Sequence, residues 1–101
     1  MKINISGLDY ELIECEMTFI DDDCIVFSER TNKIMVLNSS GVVIWKYLVS
    51  ASEKFESIDI QDIILELSKE FDLRDNNISS VYKDIEELIE QFIQEGFLNK
   101  L

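Results

Sequence analysis

The stretch "IMVLNSSGVVIWKYL", residues 34–48, decides the fold. Ile34 to Leu37 is too short for a helix and is rich in side chains that strands favour. Asn38 or Ser39 can then accept a free N–H at the start of a helix. Behind that cap, Gly41, Ile44, Trp45 and Leu48 recur at the three-to-four spacing of one buried helical face, predicting a helix through Val49. The junction is a strand, a cap and a helix with no spare residue. Gly41 inside such a helix costs about 1 kcal/mol against alanine, so it marks close packing or eases the first turn.

Upstream, "MTFI" (17–20), "CIVFSE" (24–29) and "KIMVLN" (33–38) are short, rich in β-branched and aromatic residues, and separated by Asp21–Asp23 and by "RTN". These are the marks of a three-stranded antiparallel meander. A hairpin about Asp21–Asp23 is expected to set Ile20 against Cys24 and Cys15 against Glu29. Neither cysteine then faces the other, and no disulfide is expected. Residues 3–14 alternate weakly and break at Gly7, so residues 1–16 read as an arm or an extra strand.

Downstream, "SASEKFES" (50–57) reads as a loop. A second helix starts near Asp59, with Ile60, Ile63, Ile64, Leu67 and Phe71 on one side, and its pattern stops at "DLRDNN". A third runs from Ile78 to Glu95. Its apolar stripe of Ile78, Val81, Tyr82, Ile85, Leu88, Ile89, Phe92 and Ile93 is wider than one core face needs. Gly96 is placed to close it as a left-handed cap, and "FLNKL" follows as a tail that packs back. Three strands followed by three helices give an α+β fold of winged helix-turn-helix type.

A chain of 101 residues, 47% of them apolar, holds one core and folds without staples. Its net charge of −12 repels phosphates, which sets nucleic acid and anionic membranes aside. The predicted third helix carries Lys83 against Asp84, Glu86, Glu87, Glu90 and Glu95, the wrong sign for reading a DNA groove. The opening residues lack the apolar run of a signal peptide, and no segment approaches the ~20 apolar residues of a membrane span. The expected location is therefore the cytoplasm.

Histidine is absent, which removes the commonest general base and metal ligand. Asp21–Asp23 lack the glycine and distal glutamate of a calcium loop and read as a solvated turn. With three glycines and no phosphate-binding loop, no cofactor is implied. The carboxylates of the third helix fit its wet face. Catalysis is not the expectation.

"CIVF" and "IMVL" do not alternate apolar with polar, as a sheet with one solvated face should. One reading covers the sheet on both sides, with residues 3–14 as the cover. The other makes strand 33–37 an open edge to which an outside chain adds a further strand. Backbone bonds at a net ~0.5–1.5 kcal/mol each do not suffice to order a flexible peptide. Apolar pockets beside the excess stripe of the third helix would supply the rest.

The junction, taken with "IDIQDIILELSKEFDL" and "VYKDIEELIEQFIQEGFL", resembles the PqqD-like family. The "LN-x-x-G-x-x-IW" pattern carries the likeness, which covers residues 17–98. That family comprises the peptide chaperones of pyrroloquinoline quinone biosynthesis and related leader-recognition domains of ribosomally made, modified peptides. The resemblance implies a non-catalytic winged helix-turn-helix adaptor. It would capture a precursor's leader peptide as an added strand and deliver it to a modifying enzyme or leader peptidase.

Carried over by position, the strand is Ile34, Met35, Val36 and Leu37, and the third-helix side is Ile78, Val81, Tyr82 and Ile85. Asn38, Gly41, Trp45, Leu48, Asp84 and Gly96 fall on the motifs with capping and packing roles. Residues 17–101 are then the leader-recognition domain. The preceding residues 1–16 would guard the groove or mediate a homodimer. The alternative is a winged-helix interaction or regulatory domain without a peptide client, dimeric through its apolar sheet face.

Overall fold

The computed structural model describes residues 1–101. At the junction Asn38 caps helix α1 (Ser39–Glu53), its Oδ1 accepting from the Gly41 N–H at 2.9 Å and from Ser40 Oγ at 3.0 Å. A Cβ on Gly41 would lie 3.3 Å from Leu37 Cβ and from Asn38 Oδ1, so the residue serves close packing of the helix start on the strand before it. α1 runs four residues past Val49, because Ala51 and Ser52 still face the core. Beyond it Phe55 takes a left-handed φ of 56°, and the Glu56 N–H donates to Ala51 O at 3.0 Å, closing the last turn.

Strands β3 (Glu16–Ile20), β4 (Asp23–Ser28) and β5 (Lys33–Leu37) form the expected antiparallel meander in the order β3-β4-β5. Its first hairpin is one residue tighter than the sequence suggested. Cys24 faces Phe19, and Ile20 faces Asp23 across a two-residue turn. Asp21 makes that turn possible by taking a φ of 53°, which aspartate tolerates better than most residues. Cys15 and Cys24 are free thiols.

The capping box of Asp59 and Asp62, two reciprocal bonds of 3.0 Å, starts α2 (Ile60–Ser68). Asn77 caps α3 (Ile78–Gln94), accepting from the Ser79 N–H at 2.9 Å, and Gly96 follows at a φ of 83°. The meander followed by three helices is the α+β winged helix-turn-helix architecture expected from the pattern.

Four further strands assemble a second sheet, in the order β6-β1-β2-β7. β1 (Lys2–Ile5) and β2 (Leu8–Leu12) form a hairpin whose turn residues, Ser6 and Gly7, both have positive φ. The break seen at Gly7 is this turn. β6 (Ser57–Ile58) joins β1 in parallel, out of the segment expected to be a loop, and β7 (Leu98–Lys100) joins β2 antiparallel. The tail thus becomes a strand, with Phe97 and Leu98 fully buried.

One core fills the space between these elements. Trp45 meets Phe92 edge-on at 5.1 Å and Phe97 at 6.1 Å, locking α1 to α3 and to the approach of β7. Ile3, Ile5, Tyr10 and Leu12 add the inner face of the N-terminal hairpin to the same cluster. No helix is long and apolar enough to cross a membrane.

Candidate functional site

β5 is an edge strand, and its side chains divide cleanly. Met35 and Leu37 point inward and are 4% and 3% exposed, whereas Ile34 and Val36 point outward and are each 59% exposed. Backbone direction follows from the hairpin. A two-residue turn makes Ile20 and Asp23 a hydrogen-bonded pair, and such pairs alternate along an antiparallel ladder. Carried across the sheet, that alternation pairs Cys24, Val26 and Ser28 with β5 and turns the N–H and C=O of Ile34 and Val36 to the free edge. Two donors and two acceptors are therefore offered to an incoming chain.

The outer face beside that edge is apolar. Val36 stands across from Ile25 and Ile34 across from Phe27, both half-buried, and Ile20 is exposed on β3. The N-terminal hairpin does not cover this face, because it pairs with β6 and β7 instead. Ile20, Ile25 and Phe27 are absent from the set carried over from sequence, although for Ile25 and Phe27 the doubly apolar "CIVF" already held the signal.

On α3, Ile78 and Tyr82 are 57% and 41% exposed, whereas Val81 and Ile85 are buried. The eight candidates therefore fall into four accessible side chains, Ile34, Val36, Ile78 and Tyr82, and four that belong to the core, Met35, Leu37, Val81 and Ile85. Tyr82 lines a cleft of about 310 Å³ with Ile5, Leu8, Tyr10 and Ile60, between α3 and the second sheet, and no β5 residue reaches that cleft. β5 packs on β4 and α1, while α3 packs on α2 and β7. The strand and the helix are thus held by different neighbours around a shared core.

Arg74 holds the Asp72 carboxyl below its usual range, but that pair is fully exposed on the α2–α3 connection. Burial pushes the Cys15 thiol up to about 11 and raises Cys24 as well, the opposite of an activated nucleophile. No group of three or more Cys, Asp or Glu side chains is placed to hold a metal ion.

The model of the family described as Coenzyme PQQ synthesis protein D (PqqD) matches residues 23–98, from β4 to the first residue of β7. The chain belongs to the PqqD family. Its β5 edge and all three helices lie inside the matched span, whereas the β1–β2 hairpin lies before it. The fold is similar to the solved structure of TbiB1 in complex with the TbiA(beta) leader peptide, at a TM-score of 0.63 and 18% identity. That likeness covers 88% of this chain and 95% of the other. No curated protein matches the sequence.

Proposed function

We propose that this PqqD-family chain is a non-catalytic adaptor for the leader segment of a ribosomally made precursor peptide. The leader adds as a strand to β5, and the domain presents the bound peptide to the enzyme that modifies or cleaves it. The observation that carries this reading is the unpaired β5 edge, with the backbone groups of Ile34 and Val36 turned outward between apolar side chains. Family membership and the fold shared with a protein solved in complex with a leader peptide support it.

Magnitudes decide how the peptide must be held. Four backbone bonds contribute about 2–6 kcal/mol at ~0.5–1.5 kcal/mol each. Ordering five peptide residues costs about 5–10 kcal/mol at ~1–2 kcal/mol per residue. Two or three buried apolar side chains, at about 1.5–3 kcal/mol each, make up the deficit. In this reading Ile34 and Val36 receive one set of peptide side chains on the outer face. The α3 side receives the other, with Ile78 accessible, Val81 and Ile85 supporting from the core, and Tyr82 on the flank. Met35 and Leu37 hold the strand in register from beneath.

Residues 17–101 act as the recognition unit in the cytoplasm, and the hairpin within residues 1–16 braces it from the second sheet. Fluorescence anisotropy with a labelled leader from a precursor gene beside this one tests the proposal. Saturable binding that is lost in Val36→Pro is the expected result. Absence of binding to any neighbouring leader at high micromolar protein would sink it. The exposed outer face supports a second reading, a homodimer joined through Ile20, Ile34 and Val36 without a peptide client. Light scattering separates the two, since the adaptor reading expects a monomer with a free edge.

A further inference from the structure

The meander has a second free edge. β3 lies on the far side of β4 from β5, about 10 Å away at two interstrand spacings of ~4.8 Å. By the alternation that exposes the backbone of Ile34 and Val36, the N–H and C=O groups of Met17 and Phe19 point away from β4. Between β3 and α1 opens a cleft of about 710 Å³, with Cys15, Met17, Trp45 and Val49 among its apolar lining. Phe19 and Ile20 stand exposed on the strand itself. A strand edge set against a helix with an apolar floor is the arrangement that the leader reading requires at β5, and here nothing in the chain fills it.

Charge defines the occupant. Glu14 and Glu16 lie at one end of β3 and Asp21, Asp22 and Asp23 at the other, all exposed. Two cations stand beside the groove. Arg30 is engaged with Glu11 at 3.3 Å, and Lys46 lies over the Phe19 ring, 5.2 Å from its centroid, near the middle of the strand. Both ends stay acidic. A second copy of β3 would bring carboxylates against carboxylates whether it ran parallel or antiparallel. Edge charge of this kind is how sheets avoid pairing with themselves.

We propose that the β3 edge and the cleft under it form a second docking groove, for an extended segment with an apolar centre and basic ends. The segment belongs to the enzyme that acts on the bound peptide, an assignment that rests on the leader reading of β5. Presentation needs a surface that the leader does not occupy. With β4 between them, the two edges hold leader and enzyme at once, on opposite sides of one small sheet.

Amide NMR on the full chain tests this with two capped synthetic peptides that share a Val-Thr-Val-Thr-Val centre. One carries a Lys-Lys pair at each end and the other Glu-Glu pairs. The lysine-ended peptide is expected to move the signals of Met17, Phe19 and the Trp45 indole, and to bind at least about tenfold more tightly than the glutamate-ended one. Phe19→Pro should abolish the response. The surface double variant Glu16→Lys, Asp22→Lys sets two lysines against the remaining Glu14, Asp21 and Asp23 and should remove most of the preference between the peptides, without relying on a proline in the strand. Equal binding of the two peptides, no response at β3, or shifts at Ile34 and Val36 instead would overturn the proposal. Failure of the leader reading is read separately, at Ile34 and Val36 on adding the leader.

Discussion

The two sheets of this protein are built on opposite plans. The β3-β4-β5 meander is local in sequence, tied by a two-residue turn and a four-residue connection, and leaves both edges and its outer face open. The β6-β1-β2-β7 sheet gathers residues 2–12, 57–58 and 98–100, and sends Ile3, Ile5, Tyr10, Leu12, Ile58 and Leu98 into the core. One sheet offers surface to others, while the other closes the fold around Trp45. Both sheets share the core, to which the meander adds Cys24, Val26, Met35 and Leu37, while the exposed Ile20, Ile34 and Val36 stand on the meander's outer face.

Breaking the closing sheet should have the largest effect. Phe97→Ala removes a fully buried ring that meets Trp45 edge-on, and it should cost about 3–5 kcal/mol in urea unfolding. If the loss stayed below about 1 kcal/mol, the second sheet would not be the closure described. Val36→Pro in the open meander should weaken leader binding by at least about tenfold, through a lost edge N–H and its steric consequence. Circular dichroism should show the fold retained, because that N–H bonds to no strand of this chain. Replacing Asp59 by alanine, far from both edges, should cost about 1 kcal/mol through the lost cap and leave leader affinity unchanged.

Ile34→Thr sharpens the comparison at its quiet end. Unfolding free energy should change by no more than about 0.5 kcal/mol, while leader affinity falls, because this side chain is 59% exposed in the free protein and the leader reading covers it. The Cys15 thiol supplies a pH signature. Burial raises its folded value to about 11 from an ordinary value near 9, so the neutral form is favoured by folding. Its contribution is fully present below about pH 9 and is lost as pH rises towards 11. Denaturant midpoints should therefore fall modestly across that window, and Cys15→Ser should flatten the fall.

The meander and the helices were legible because each carries its own local signal. Asn38 caps where its residue type placed a cap, α2 starts at Asp59, and α3 begins and ends within one residue of its periodic stripe. The second sheet was not legible, because β6 has two residues and β7 three, and each exists only through pairing with the N-terminal hairpin. A one-residue error in the Asp21–Asp23 turn set Cys24 against the wrong neighbour, since turn geometry and not strand composition fixes register. At the candidate site, the family resemblance carried over the whole strand, the outward Ile34 and Val36 included. It did not separate them from buried Met35 and Leu37, because all four side chains are apolar and only the three-dimensional packing tells one face from the other.

Amide hydrogen exchange at Ile34 and Val36, with and without a saturating leader peptide, tests the central claim most directly. Both amides should exchange rapidly in the free protein and become strongly protected in the complex, as groups paired with an added strand do. A leader that binds tightly while these two amides go on exchanging at their free rate would show that β5 is not the edge it uses.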